Sequence, residues 1–282
     1  MATVPVVRRF CRECYSPPEA LYDKLKQLGL DLVTVTDHDS IEAGESLRRH
    51  PDFFVSEEVT CRAPSGNELH VGVYDITEQQ HVEIQRRRNE LPRLVAYLEE
   101  QRVFFSVNHI FSALTGRRAA DDFDWFEACF PAIEVLNGHL LARNNHLAAR
   151  LASHARRIQV GGSDAHALIS AGSAWTEVRE ARNKAEFLEG LREGRARAHG
   201  ESGSYCKLTR DILAIGIEMF RENPITLLLA PLLVGMPALT LAHHFLEARF
   251  ARKWGQAWAR SRGLDSGAAI RPIRPTAGEA AA

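Results

Sequence analysis

A chain of 282 residues can bury a full core, so one large domain with an appendage is the natural reading. Lys and Arg total 35 against 36 Asp and Glu, and the resulting charge of -1 excludes a global field favouring nucleic acid or anionic membrane, though not a locally positive groove. Five cysteines (11, 14, 61, 129 and 206), odd in number and scattered, exclude a disulfide framework and point to a reducing compartment.

Residues 1–9 do not read as a signal peptide, because their apolar run is short and their charge follows it. The expected location is therefore cytoplasmic. A helix is predicted over 17–29, with Ser16 as N-cap, Pro17 in the first turn and Gly29 as the stop. A strand over 31–36 and a short helix over 41–49 follow. Strands are expected at 53–60 and 68–74, the second alternating Leu69, Val71 and Val73 with His70 and Gly72. A long charged amphipathic helix should occupy 78–101. Strands at 104–108, 132–136 and 159–162 then alternate with helices at 121–129, 140–156 and 184–192. Such alternation implies a mainly parallel sheet or barrel whose strand ends form the functional rim.

Several of these strands stop abruptly at metal-ligating side chains. Val33-Thr34-Val35-Thr36 ends at Asp37-His38-Asp39, and Gly161-Gly162-Ser163 ends at Asp164-Ala165-His166. Asp164 and His166 are two apart, so at an extended strand end both point to one side. A hard carboxylate oxygen beside an imidazole suits Zn, Mn or Fe. Glu57 and Glu58 are adjacent within an apolar strand, so one enters the interior while the other meets solvent or the helix layer; a metal would offset the cost of the buried one. His109 follows the strand over 104–108. His70 sits within a strand, where a hydrogen-bonded core histidine is the competing explanation. Asn137 could bind substrate or simply turn the chain before Gly138. Arg117 and Arg118, on a Gly-containing loop, could meet a phosphate or be a solvated pair.

Together these segments resemble the polymerase and histidinol phosphatase (PHP) superfamily. The resemblance rests on Val35 to Ser40, Ser56 to Val59, Leu69 to Tyr74, Asn108-His109, Glu134 to Gly138 and Gly162 to His166, and covers about residues 15–200. It implies an α/β fold, a distorted (β/α)7-type barrel, holding up to three divalent ions and hydrolysing phosphate esters with a metal-activated water. It further implies metal ligands at His38, Glu58, His70, His109, Asp164 and His166. The catalytic group would be Glu58, His38 and Asp164, and Glu58 would bridge two ions.

One family element has no counterpart. Members open with a strand carrying a His-x-His pair, whereas the first His here is His38. The expected barrel therefore lacks its first strand and exposes the edge of its neighbour. Three explanations are open: a truncated or mis-started version of a longer chain, a real protein with a reduced metal site, or substitution by Cys11 and Cys14. One complete site (Glu58, His70, His109) and one partial site are expected to survive, with fewer ions than the family holds.

Composition changes after about residue 206. An amphipathic helix is predicted over 207–222, then eighteen uncharged residues over 225–242, interrupted by Pro231 and Pro237. Their length reaches the lower limit for a membrane span. Two prolines should break it into half-segments too short to cross. A membrane-surface hairpin on the cytoplasmic face is expected, with a buried layer or a homo-oligomer interface as competing uses. The domains are thus 1–206, 207–258 and an Ala/Gly/Pro-rich disordered tail over 259–282. The leading function is hydrolysis of a small phosphomonoester, a nucleotide or an oligonucleotide end. The alternative is a degenerate, non-catalytic metal-binding scaffold with a membrane- or partner-binding tail.

Overall fold

The structure is a computed structural model that describes residues 14–264. Cys11, the residues weighed as a leader, and the tail beyond residue 264 lie outside the described residues.

Five strands form one sheet in chain order: β1 (Ser56–Arg62), β2 (Glu68–Tyr74), β3 (Phe104–Asn108), β4 (Ala132–Asn137) and β5 (Ile158–Gly162). The first three pair antiparallel and the last three parallel. β1 and β2 are antiparallel because only a tight turn joins them: Ala63 N–H donates to Asn67 O at 2.9 Å, and Gly66 takes a φ of 82° there. A separate two-stranded sheet, β6 (Ala174–Val178) with β7 (Ala196–Gly200), abuts β5. Thr176 Oγ1 joins them, accepting from Gly161 N–H and donating to Gly161 O, both at 2.9 Å.

The expected α/β class holds, but the expected distorted (β/α)7-type barrel lacking its first strand is corrected: among the described residues the sheet is mixed and open. The strand expected over 31–36 touches the sheet at two isolated parallel bridges, Val33 with Phe53 and His38 with Glu58. Between them Thr34 Oγ1 lies 2.7 Å from both Phe54 O and Ser56 Oγ. A cleft of about 1190 Å³ opens between this extended segment and β5 and β6, with Thr34, Asp37, His38, Asp164 and Trp175 among its walls.

Helices α1 (Pro18–Gln27), α2 (Glu42–Leu47), α5 (Asp122–Cys129), α6 (Ala142–His154) and α7 (Lys184–Arg192) lie near their expected positions, except that Pro17, not Ser16, occupies the N-cap of α1. The single helix expected over 78–101 is two, α3 (Glu78–Arg87) and α4 (Leu91–Glu100). Pro92, in the first turn of α4, cannot donate a backbone hydrogen bond and disfavours helix just before it, so the chain breaks there. The core gathers Leu69, Val71 and Val73 of β2 with Leu94 and Leu98 of α4, Phe123 and Phe126 of α5, and Leu151 of α6.

The extension runs through α8 (Tyr205–Glu222), a 3-10 turn over Pro224–Leu229 and α9 (Ala230–Ser261). The expected proline breaks do not occur. Pro231 falls in the first turn of α9, where its missing N–H costs nothing, and Pro237 lies within a helix that continues past it. The far half of α9 packs on the main body: Ala251, Trp258 and Ala259 are buried, and Trp258 Nε1 donates to Glu127 Oε1 at 2.6 Å. Helix extends through 259–261, which corrects the expected start of the disordered tail. The near half, with the 3-10 turn, presents an exposed apolar face; Leu228 and Val234 are 81% and 85% exposed.

Candidate metal centre

The register of three strands assembles the inner cluster. Glu58 pairs with Gly72, and His70 pairs with both Thr60 and Asn108, so Glu58, His70 and Asn108 share one face as direct or diagonal neighbours. His38 reaches the same carboxylate through its bridge to Glu58, where Asp39 N–H donates to Glu58 O at 2.9 Å and Glu58 N–H to Asp37 O at 3.1 Å. Glu58 Oε2 stands 3.3 Å from His38 Nε2 and 3.5 Å from His70 Nδ1; Oε1 stands 3.4 Å from His109 Nε2. Asn108 Nδ2 donates to Oε1 at 2.7 Å, and His70 Nδ1 meets His109 Nε2 at 3.0 Å. Glu57 points the other way, into the helix layer, where His81 Nδ1 and Gln85 Nε2 both lie 2.9 Å from its Oε2.

Three residues of the rim hold backbone that non-glycine residues rarely adopt: Asp39, His109 and Asp164 have φ of 55°, 35° and 48°. Strain of this kind concentrates at functional sites, where surrounding structure over-determines it. Here it turns each strand end sharply, so that the side chains face the rim.

A second group lies beside the first. Asp164 follows β5, and His166 Nδ1 sits 3.1 Å from Asp164 O and 3.7 Å from Asp164 Oδ1. Asn137 Nδ2 links the groups, donating to Asp164 Oδ2 at 2.9 Å and lying 3.2 Å from Glu134 Oε2. Glu134 Oε2 also accepts from His109 N–H at 2.9 Å. Strict alternation would put Glu134 and Asn137 on opposite faces of β4. A register shift between Glu134 and Leu136 places them together.

These buried groups shift one another's protonation. Burial works to raise the Glu58 carboxyl, but the His70 hydrogen bond and the charges of His109, His70 and His38 outweigh it and hold the group below the usual carboxylate range. Burial works to lower His70, yet its hydrogen bond and proximity to Glu58 raise it. Burial pushes His109 down to about 4, so its imidazole is neutral near pH 7 and can serve as a ligand. Burial, then the charges of Asp164 and Glu58, raise Glu134 well above its ordinary value. Three carboxylates thus crowd one pocket, and buried His38 Nδ1 and His109 Nδ1 have no hydrogen-bond partner. Mixed nitrogen and oxygen donors of this kind suit a divalent metal ion. Donor atoms of His38, Glu58 and His70 lie within 4.8 Å of one another, as do those of His139, Asp164 and His166.

The arginines do not join the site. Arg118 is buried, and its guanidinium donates to Glu68 O at 2.8 Å, Ile110 O at 3.1 Å, Arg117 O at 3.0 Å and Thr115 Oγ1 at 2.6 Å. Its donors tie the loop together, which corrects its expected role as a phosphate contact. Arg117 is exposed. Cys14 is a free thiol. Sequence reasoning passed over Asn108, Glu134 and His139. Glu134 lay within a quoted segment, but only the bulge reveals which face it takes.

This site sits at one end of the strands of a mixed α/β fold. Residues 142–196 match the family model described as PHP-associated, so the resemblance drawn from the motifs is borne out over that stretch. No curated protein matches the chain by sequence. Among solved structures, the chain is similar to PsfC from Pseudomonas syringae, with 20% identity, a TM-score of 0.52, and coverage of 71% of this chain and 88% of that one. That likeness shows a shared fold. Similarity also extends to the lesion-specific endonuclease EndoQ from Pyrococcus furiosus (14% identity, TM-score 0.48, 67% and 56% covered). A protein from Bifidobacterium adolescentis assigned as a metal-dependent phosphoesterase matches at 14% identity and a TM-score of 0.41, with 64% and 91% covered.

Proposed function

We propose that the chain hydrolyses a phosphate ester, with divalent Zn, Mn or Fe held by His38, Glu58, His70 and His109 and by Asp164 and His166. The observation that carries this reading is the convergence of three imidazoles on one buried carboxylate, each ring nitrogen 3.3–3.5 Å from a Glu58 oxygen. The PHP-associated match supports it. Bound ions would polarise water and the phosphoryl oxygens. Glu58, fixed by Asn108, presents both oxygens to the rim as the central donor. Neutral His109 offers a lone pair without first shedding a proton. Asn137 gives both amide hydrogens to Asp164 and Glu134, and so holds these two acids in place beside the cleft. The cleft has room for a small phosphomonoester, a nucleotide or the end of an oligonucleotide.

The test is hydrolysis of mono- and bis-p-nitrophenyl phosphate by the full chain loaded with each metal, beside Glu58→Gln. Turnover that falls more than about 100-fold in the variant supports the proposal. Bound ions without turnover on either ester or on nucleotides would favour the non-catalytic scaffold instead.

A second proposal concerns the extension. The described chain holds one helical stretch, Pro224–Ser261, long and apolar enough to cross a membrane by length and composition. Its near half is paired with α8 through Tyr205 OH on Pro237 O and Thr209 Oγ1 on Thr240 Oγ1, at 3.2 and 2.7 Å. A helical hairpin whose returning arm is apolar and uncharged over 225–242, beside charged Arg221 and Glu222 at the turn, favours insertion into one face of a membrane over a crossing.

A further inference from the structure

We propose that His139 completes a second metal subsite with Asp164 and His166, and that Asp211 of the C-terminal extension holds His139 in place. The inference rests on the metal-hydrolase reading above. One donor atom from each of His139, Asp164 and His166 lies within 4.8 Å of the other two. The rings of His139 and His166 stack with centroids 5.8 Å apart and planes 12° from parallel, so both present their edges to the same space.

His139 is built as a ligand is built. Its Nε2 lies 2.7 Å from Asp211 Oδ2, which leaves Nδ1 as the ring nitrogen available to an ion. Histidine ligands commonly give their second ring N–H to a carboxylate, which fixes ring orientation and raises basicity. Asp211 is 1% exposed, and its Oδ1 has no hydrogen-bond partner. A carboxylate buried this deeply is costly unless positive charge lies nearby. Arg210 Nε stands 3.9 Å from Asp211 Oδ1, and an ion on His139 would add positive charge on the other side through the ring.

The backbone at this turn is fixed from both sides. His139 N–H donates to Asn137 Oδ1 at 2.8 Å, and the Asn137 amide in turn holds Asp164. On the extension side, Gly203 N–H donates to Leu140 O at 2.7 Å, and Leu141 bridges Gly203. A Cβ at residue 203 would stand 2.1 Å from His139 O, so only glycine permits the approach. The residue that leads into the extension is therefore docked on the very turn that carries His139, and Asp211 of α8 reaches the ring from there. On this reading the extension is a working part of the site rather than an attachment to it.

The experiment is titration of the metal-free full chain with Zn²⁺ and Co²⁺. It reads ions per chain by elemental mass spectrometry and ligand-field bands by absorption. His139→Ala and His139→Asn should each bind one ion fewer than the parent chain and lose the bands of that ion. Asp211→Asn should keep the ion count and weaken that one ion by about 10- to 100-fold. Glu58→Ala should lose the inner ion and keep this one. Unchanged counts and bands in both folded His139 variants would overturn the subsite while leaving the inner cluster standing. A parent chain that takes up no ion would overturn both readings.

Discussion

Asn108 Nδ2 donates to Glu58 Oε1 at 2.7 Å, from a strand two removed from the one that carries the carboxylate. The amide is held this way round because turning it would set its oxygen against the Glu58 carboxylate; as it stands, its Oδ1 accepts from Ser106 Oγ at 2.7 Å. Ser106 Oγ in turn meets Tyr74 OH at 3.0 Å. Tyr74, Ser106 and Asn108 thus form a line of hydrogen bonds ending on the central acid of the site. Burial holds the Tyr74 phenol well above its ordinary value, so it stays protonated throughout the usual pH range.

Removing the last link should therefore loosen the site without removing a ligand. Asn108→Ala is expected to lower metal affinity by about 10- to 100-fold, the usual cost of losing a partner that orients a ligand. Asn108→Asp should do worse, since it sets one buried carboxylate against another. Ser106→Ala should fall between the parent and Asn108→Ala. Competition against a chromophoric chelator measures all three, and equal affinities across the series would show that Asn108 does not orient Glu58.

How much of this was readable beforehand depends on the range of the contact. Glu57 and Glu58 had to face opposite ways, because side chains alternate along a strand, and they do. Asp164 and His166 are close neighbours in sequence and come together as expected. Asn108 and Glu134 depend on which strand lies next to which and on one bulge in β4, neither of which local pattern encodes. Arg118 looked like a solvent-facing loop cation. Only the fold shows four acceptors converging on it. The elements themselves were largely legible from periodicity and punctuation. Sheet closure was not, because it is decided by long-range pairing.

Arg118 should behave as a structural cation. Burial pushes its guanidinium down to about 10, still charged at neutral pH. Arg118→Met would strand the carbonyls of Glu68 and Ile110 without a donor and is expected to cost about 3 kcal/mol or more in unfolding free energy. Ions per folded chain should not change. Chemical denaturation with metal analysis of the folded fraction checks both, and a drop in metal content at unchanged stability would return Arg118 to the site.

Glu247 should give the stability curve a slope. It is buried where α9 meets the body, accepting from Ser112 Oγ and Ala113 N–H on one oxygen and from Asn144 Nδ2 on the other, at 2.8–3.0 Å. Burial raises its carboxyl, and those hydrogen bonds only partly oppose the shift. The folded chain therefore keeps a proton that the unfolded chain gives up first. The stability from this group is present below its unfolded value of about 4.5 and is lost as pH rises through the raised folded value. Glu247→Gln cannot ionise, so its Tm should fall less than that of the parent between pH 4.5 and pH 7. Parallel Tm profiles would mean that Glu247 titrates normally and that burial there is incomplete.

The apolar tip makes the last prediction. Ile225, Leu227, Leu228, Leu232 and Val234 are all exposed, and no charge interrupts 225–242. Burying one such side chain contributes about 1.5–3 kcal/mol, so three together can hold the chain on a bilayer. The full chain should co-sediment with vesicles of phosphatidylcholine and phosphatidylglycerol, and it should do so at high salt, because the contact is apolar rather than ionic. Leu228→Asp, Leu232→Asp and Val234→Asp combined should release it by more than 100-fold, since three insertions are lost at about a factor of 10 or more each. The metal site is unaffected by that triple change, because the far half of α9 stays docked through Trp258 and Glu127. A parent chain that ignores vesicles but runs as a dimer, and becomes a monomer in the triple variant, would assign the tip to a second copy of the chain. A monomer that ignores vesicles would remove the membrane reading altogether.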